Sequence, residues 1–105
     1  MRNQENEFGG RGMTLSILTP DGAPIRLRCD SAHITIRDDL HGRGGGAYGI
    51  RCGHARAILA LESGPLTARL GDQTVLRGRC GKGFARVDGQ SIAIVTESVV
   101  LDEES

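Results

Sequence analysis

The segment Gly83–Thr96 reads GFARVDGQSIAIVT, and it decides the fold class. Two short runs rich in apolar residues, Gly83–Val87 and Ser91–Thr96, flank the tripeptide Asp88-Gly89-Gln90. Asp-Gly is among the strongest short signals for a β-hairpin, because glycine takes a positive φ without steric cost. The segment therefore predicts two antiparallel strands joined by a tight turn.

The neighbouring residues extend this pattern in both directions. Leu66–Leu70 and Thr74–Arg79 flank Gly71-Asp72-Gln73 and predict a second hairpin. Val99–Leu101 predicts a last short strand. Closer to the N-terminus, apolar and polar residues alternate in three further segments, as expected for half-buried strands. These segments are Thr14–Leu18, Ile25–Cys29 and Ala32–Arg37.

Two segments are harder to assign. Asp38–Gly49 contains five glycines and is predicted to be a loop. Ile50–Leu61 has enough Ala and Leu for a helix, but Gly53 lies near its start and Ser63-Gly64-Pro65 follows it. We favour a turn at Cys52–His54 and then a short strand at Ala57–Leu61. Gly49 and Gly53 flank the single apolar residue Ile50, so we expect both glycines to be needed for their backbone conformation and Ile50 to pack inward. The prediction is an all-β fold, a small β-sandwich or barrel of about eight to ten short strands, without a helix longer than about three turns.

Length and composition narrow the function classes. With 105 residues, we expect one domain at 13–101, a flexible N-terminal tail at 1–12 and an acidic tail at 102–105. Thirteen Lys and Arg balance thirteen Asp and Glu, and there are only three aromatic residues. A basic excess and a base-stacking platform are both missing, which argues against nucleic-acid binding.

No apolar run approaches the roughly 20 residues of a membrane span, and three widely spaced cysteines do not suggest a disulfide framework.

Five residues are candidate metal ligands by residue type. Zinc ligands usually come in close pairs such as C-x-x-C, and here only Cys52 and His54 are close. Cysteine is also a frequent core residue, and Cys29 continues an apolar alternation. We therefore expect no metal site. The five candidates are Cys29, His33, Cys52, His54 and Cys80.

Three other kinds of chemistry have weaker support. Cys52 with His54 could form a nucleophile and base, but no third group that would orient them can be named. The glycines of His41–Gly46 could cradle a phosphate, but neither a helix nor Lys and Ser/Thr follows them. Asp38 and Asp39 could be paired carboxylates, but adjacent side chains diverge, and a solvated turn explains them better. None of these patterns supports catalysis.

The segment Gly46–Ala55, GAYGIRCGHA, resembles the G-x-x-G-I-x-P-G-H-A motif of F-type ATP synthase epsilon subunits. Ser63-Gly64-Pro65-Leu66 stands where that family has a Pro-Gly turn, and the hairpin of Gly83–Thr96 resembles the family's G-[FI]-x-x-V…V-x-V-L pair. The opening Leu15–Pro20 is similar to the family's first strand, so the resemblance extends over 13–101. The motif's proline is Cys52 here, and the family's second proline is Arg56.

The resemblance implies a non-catalytic subunit of the rotating central stalk that couples the gamma shaft to the membrane c-ring. Its partners would be gamma and the c-ring. It would lie on the cytoplasmic side of the bacterial inner membrane and would contact the membrane only through the complex. It implies no cofactor. By this resemblance the gamma and c-ring interface would be formed by Gly46, Ala47, Tyr48, Gly49, Ile50, Gly53 and His54. The alternative is an unrelated small β-sandwich that acts as an adaptor or ligand-binding module.

Longer bacterial members of this family end in a two-helix hairpin that can inhibit ATP hydrolysis and in some cases binds ATP. Two packed helices need roughly 30 residues, and only Asp102–Ser105 follow Leu101. The expectation is a short form without the C-terminal helical hairpin, without a hairpin brake and without ATP binding.

Overall fold

The computed structural model describes residues 12–102, and these form ten β-strands without a helix. The all-β prediction is confirmed, with the strand number at the upper end of the expected range. In chain order the strands are β1 (Met13–Leu18), β2 (Ile25–Cys29), β3 (Ser31–Ile36), β4 (Gly46–Arg51), β5 (Ala57–Leu61), β6 (Gly64–Leu70), β7 (Gln73–Cys80), β8 (Gly83–Val87), β9 (Ser91–Thr96) and β10 (Val99–Leu101). The expected tails at 1–12 and 102–105 lie outside the described residues, apart from Gly12 and Asp102.

The strands form one strongly curled sheet with the order β10-β7-β6-β3-β5-β8-β9-β1-β2, and β4 pairs with the free side of β3. All pairs are antiparallel except β1 with β9. The sheet has two halves, which we call sheet I (β4, β3, β6, β7, β10) and sheet II (β5, β8, β9, β1, β2). They are joined at the pair Ile36–Leu61, and β2 approaches β6 across the interior.

The core lies between the two halves and is formed by alternate residues of the strands. Ile92 and Ile94 of β9 are fully buried, as are Leu15 of β1 and Leu66 of β6. This alternation agrees with the strands predicted from the sequence, because a half-buried strand shows only every second residue to the interior. No helix within residues 12–102 has the length and apolar character needed to cross a bilayer.

One prediction about the strands was wrong. Asp38–Gly49 was expected to be a loop, but its last residues, from Gly46 onward, belong to β4 and pair with β3 over the whole length of that strand. Glycine is depleted in strands, so the glycine content of this segment hid the strand. Because β4 has a strand partner on only one side within residues 12–102, it is an edge strand there.

Candidate functional site

The residues singled out by the motif lie on β4 and on the turn that follows it. The side chains of β4 alternate: Ile50 is fully buried and Tyr48 is half-buried, whereas Ala47, Gly49 and Arg51 face solvent. Ile50 was predicted to point inward, and this is confirmed. It anchors the edge strand to the core, while the rest of the strand remains accessible.

Gly49 was predicted to be needed for its backbone conformation, and that prediction was wrong. Its φ is not positive, and it pairs with His33 in a regular antiparallel ladder. What glycine provides here is space: a Cβ atom at this position would lie 3.2 Å from Nε2 of His33. The exposed His33 imidazole therefore lies directly over Gly49.

The turn after β4 does depend on backbone conformation. The amide of His54 donates a hydrogen bond to the carbonyl of Arg51 over 3.0 Å, and Gly53 between them has a φ of +90°. A positive φ at the third residue of a four-residue turn fits a type II turn, which favours glycine at that position. The predicted turn at Cys52–His54 is confirmed, and so is the special role of Gly53.

This turn is attached to the hairpin of β8 and β9. The amide of Gly53 donates to the carbonyl of Gly89 over 2.7 Å, and the amide of Cys52 donates to the carbonyl of Asp30 over 3.4 Å. Gly89 also has a positive φ, +93°, as the Asp-Gly signal predicted. The contact between the two turns was not expected from the sequence, because no local pattern reports a pairing of residues so far apart in the chain.

Tyr48 and His54 form the polar centre of the site. The Tyr48 hydroxyl lies 2.9 Å from Nε2 of His54, and the two rings meet edge to face at a centroid distance of 5.7 Å. Nδ1 of His54 lies 2.7 Å from the carbonyl of Ala55. A carbonyl can only accept, so Nδ1 carries a proton; in the neutral ring Nε2 then accepts a hydrogen bond from the tyrosine. Both ring nitrogens are occupied, and the histidine orientation is fixed.

The glycine-rich loop before β4 is organised by its two aspartates. Oδ1 of Asp39 accepts from the amides of His41 and Arg43, over 2.8 and 3.0 Å, and Oδ1 of Asp38 accepts from the amide of Gly45 over 3.0 Å. These are Asx-type contacts that stabilise turns. They agree with the turn interpretation of the two carboxylates rather than with catalysis. Leu40 at the tip of the loop is completely exposed.

The metal and nucleophile candidates are dispersed. Among residues 12–102, no group of three or more His, Cys, Asp or Glu residues is arranged to hold a metal ion. Cys29 and Cys80 are buried, and burial raises the pKa of both thiols, that of Cys29 to about 11. A raised thiol pKa disfavours the nucleophilic thiolate. The thiol of half-buried Cys52 points to the carbonyl of Gly12 at 3.7 Å, and the His54 ring is engaged by Tyr48 and Ala55.

The accessible motif residues therefore lie together on one surface of the fold. Backbone hydrogen bonds attach the edge strand β4 to β3, and they attach the turn after β4 to Asp30 and Gly89. The tyrosine–histidine pair lies on this strand and turn. A shallow open groove runs beside them, between His33 and His54. Such a surface can present backbone and side-chain groups in a fixed arrangement to a binding partner.

No protein-family model matches this chain, and no curated protein matches it either. Among solved structures, a similar fold occurs in a chain of the cryo-electron microscopy structure of the Euglena gracilis mitochondrial ATP synthase, comprising OSCP, F1 and c-ring in rotational state 1. The sequence identity is 23%, the TM-score is 0.62, and the match covers 87% of this chain and 54% of that chain. This chain thus spans about half the length of the chain that it matches, and a likeness at this level of identity establishes a shared fold.

Proposed function

We propose that this protein is a non-catalytic, epsilon-type subunit of the central stalk of an F-type ATPase, where it couples the gamma shaft to the c-ring. The observation that carries the proposal is the turn Arg51–His54. The glycine and histidine of the motif, Gly53 and His54, each have a distinct structural task there. The motif resemblance and the fold likeness to a chain of a mitochondrial ATP synthase support the same proposal from different directions.

The proposed role is mechanical. A subunit that transmits torque between a shaft and a ring must resist deformation, and a close-packed β-core has the low compressibility that this requires. The turn after β4 is attached both to its own strand and to the β8–β9 turn through the Gly53–Gly89 hydrogen bond. A force applied at His54 would therefore be distributed over sheet I and sheet II rather than bending one loop.

In this proposal the motif residues divide into two groups. Ile50 and Gly53 hold the strand and the turn in place, since Ile50 is buried and Gly53 is required for its conformation. Accessible residues would form the contact with gamma and the c-ring. These are Gly46, Ala47, Tyr48, Gly49 and His54.

The protein would be peripheral, on the cytoplasmic side of the membrane, and it would neither bind ATP nor catalyse its hydrolysis. The test is reconstitution of the host's ATPase with and without this chain, measuring ATP hydrolysis and ion pumping together. We expect the chain to co-purify with gamma and the c subunit, and its omission to abolish pumping while hydrolysis persists. Failure to co-purify, or unchanged pumping without it, would favour the alternative of an unrelated adaptor or ligand-binding module.

A control variant separates the site from the rest of the fold. His54→Ala removes the side chain on the proposed contact surface, whereas His41→Ala removes an exposed histidine from the loop before β4, outside that surface. We expect His54→Ala to weaken co-purification with gamma or the c subunit more than His41→Ala does. Equal effects would remove the motif turn from the proposed interface.

A further inference from the structure

The balanced net charge of the chain hides an uneven distribution. Within residues 12–102 every Asp and Glu lies in a turn or connection, and none lies in a strand. The strands of sheet I carry four arginines and a histidine. These are Arg51, Arg69, Arg77, Arg79 and His33.

The strand register places these basic residues on one face. Ser31 pairs with Arg51 on one side and with Arg69 on the other. In the next row His33 pairs with Thr67, which pairs with Arg77. Residues directly opposite one another on neighbouring strands share a face, as do residues two apart on one strand. The outer face of sheet I therefore presents the five basic side chains together, and all five are exposed.

No side chain of this basic face forms an ion pair within 4.0 Å inside residues 12–102. The ion pair found there joins Arg37 to Glu62, and neither belongs to the face. Arg69 uses one guanidinium nitrogen to donate to the backbone carbonyl of Asp72 over 3.1 Å. Like charges on adjacent strands are unfavourable, so the arrangement is stabilised when an external anion covers it.

The surroundings of the face indicate what kind of anion fits. Acidic residues border it: Asp30 and Asp72 lie at one end of the strands and Glu62 at the other, and Asp102 lies beside Arg77, to whose carbonyl its amide donates over 2.9 Å. An extended anionic surface, such as a bilayer or a duplex, would meet these carboxylates as well as the arginines and would be repelled at the border. A bounded acidic patch on a protein can contact the arginines without covering all of these carboxylates.

Apolar residues beside the arginines also favour a protein partner. Arg79 pairs with exposed Pro65 on one side and with Val100, 68% exposed, on the other. Protein interfaces combine arginine with apolar contacts at their centre, and arginine matches carboxylates in bidentate geometry. We propose that the outer face of sheet I is a docking surface for an acidic patch of a partner protein. This inference does not depend on the rotor proposal.

The test uses a fluorescein-labelled decapeptide of alternating Glu and Val, titrated with the full chain and followed by fluorescence anisotropy. Arg77→Gln/Arg79→Gln removes two charges from the face. Arg26→Gln/Arg86→Gln is the matched control, because it removes two exposed arginines from the strands of sheet II. All substituted positions are exposed, and circular dichroism checks that both variants remain folded.

We expect the wild-type chain to bind the peptide, with an affinity that falls as salt rises. The sheet I variant should bind about three- to tenfold more weakly, whereas the sheet II variant should retain the wild-type affinity. Equal losses in both variants, or no peptide binding by the wild-type chain, would overturn the proposal. Tighter binding to phosphatidylglycerol vesicles or single-stranded DNA, with the same dependence on Arg77 and Arg79, would assign the face to lipid or nucleic acid instead.

Discussion

Gly53 shows at the level of a single residue how the sequence determines a turn. It lies in the type II turn at a φ of +90°, and an added Cβ would meet nothing within 4 Å. The constraint is therefore conformational and not steric. The same residue aligns the amide that binds Gly89 and positions the neighbouring His54.

We expect Gly53→Ala to lower the free energy of unfolding by about 1 to 2 kcal/mol, the cost of a left-handed conformation for a residue with a Cβ. Urea unfolding at neutral pH measures the change. Gly53→Asn is the control, since asparagine tolerates positive φ better and should lose less. If alanine and asparagine were equivalent to glycine, the turn would not require the conformation described.

The tyrosine–histidine pair gives a second prediction at this scale. In the neutral His54 ring we expect the proton on Nδ1, because the Ala55 carbonyl can only accept, and Nε2 should accept from Tyr48. Nitrogen-15 NMR distinguishes the two tautomers directly. Tyr48→Phe should shift the Nε2 resonance, leave the Nδ1 resonance nearly unchanged and cost about 0.5–1.5 kcal/mol of stability.

Phe replaces Tyr48 with nearly the same shape, so the edge-to-face contact with His54 remains and serves as an internal control. A proton found on Nε2 in the neutral wild-type ring would contradict this hydrogen-bond assignment.

The turn between β8 and β9 shows how a connecting element is stabilised. Oδ1 of Asp88 accepts from the Ser91 hydroxyl over 2.9 Å and from the amides of Gln90 and Ser91, over 3.2 and 3.0 Å. The Ser91 hydroxyl contributes most, the Gln90 amide next, and together these donors lower the pKa of the Asp88 carboxyl below its usual 3.8. The carboxylate form is therefore favoured in the folded protein.

This lowered pKa predicts a dependence of stability on pH. A carboxyl group that binds its proton less readily when folded stabilises the fold at pH values above 3.8. That contribution is lost as the pH falls through the lower pKa of the folded state. The stability difference between the wild type and Asp88→Asn, from urea unfolding at several pH values, should shrink over that acidic range. Ser91→Ala, which removes the hydroxyl donor to Asp88, is the companion variant and should reduce the same pH dependence.

The elements also show which parts of the fold were predictable. Alternation predicted β1, β2 and β3, and the Asp-Gly signal predicted the hairpin of β8 and β9. Alternation missed the start of β4, because glycines carry no side-chain pattern although the backbone still pairs with β3. The Gly53 conformation and the inward Ile50 were predicted correctly, whereas Gly49 is constrained by the His33 ring, a contact between strands that no local pattern reveals.

At the scale of the whole molecule, the three cysteines differ in how deeply the fold buries them. Cys29 and Cys80 are 0% and 4% exposed and their thiol pKa values are raised, whereas Cys52 is half-buried in the turn after β4. We expect a water-soluble thiol reagent to modify Cys52 first under native conditions and the other two only as the fold opens. Peptide mass spectrometry identifies the labelled site, and denatured protein, in which all three react, is the control. Labelling of Cys29 as fast as Cys52 would contradict the packing described for the core.

The parallel pairing of β1 with β9 has a consequence for the biosynthesis of this protein. Thr14–Leu18 lies beside Ser91–Val95, so the first strand acquires this neighbour only when almost the whole domain exists. Contacts between distant segments form slowly, because closing the intervening chain costs entropy before the contact is made. On the ribosome, β1 and β2 can pair early, yet the side chains of Leu15 and Ile17, buried in the finished fold, lack their covering strand. Until Ser91–Thr96 has emerged, the nascent chain carries an apolar strand surface that chaperones can bind, and a translational pause before Ser91 would lengthen that exposure.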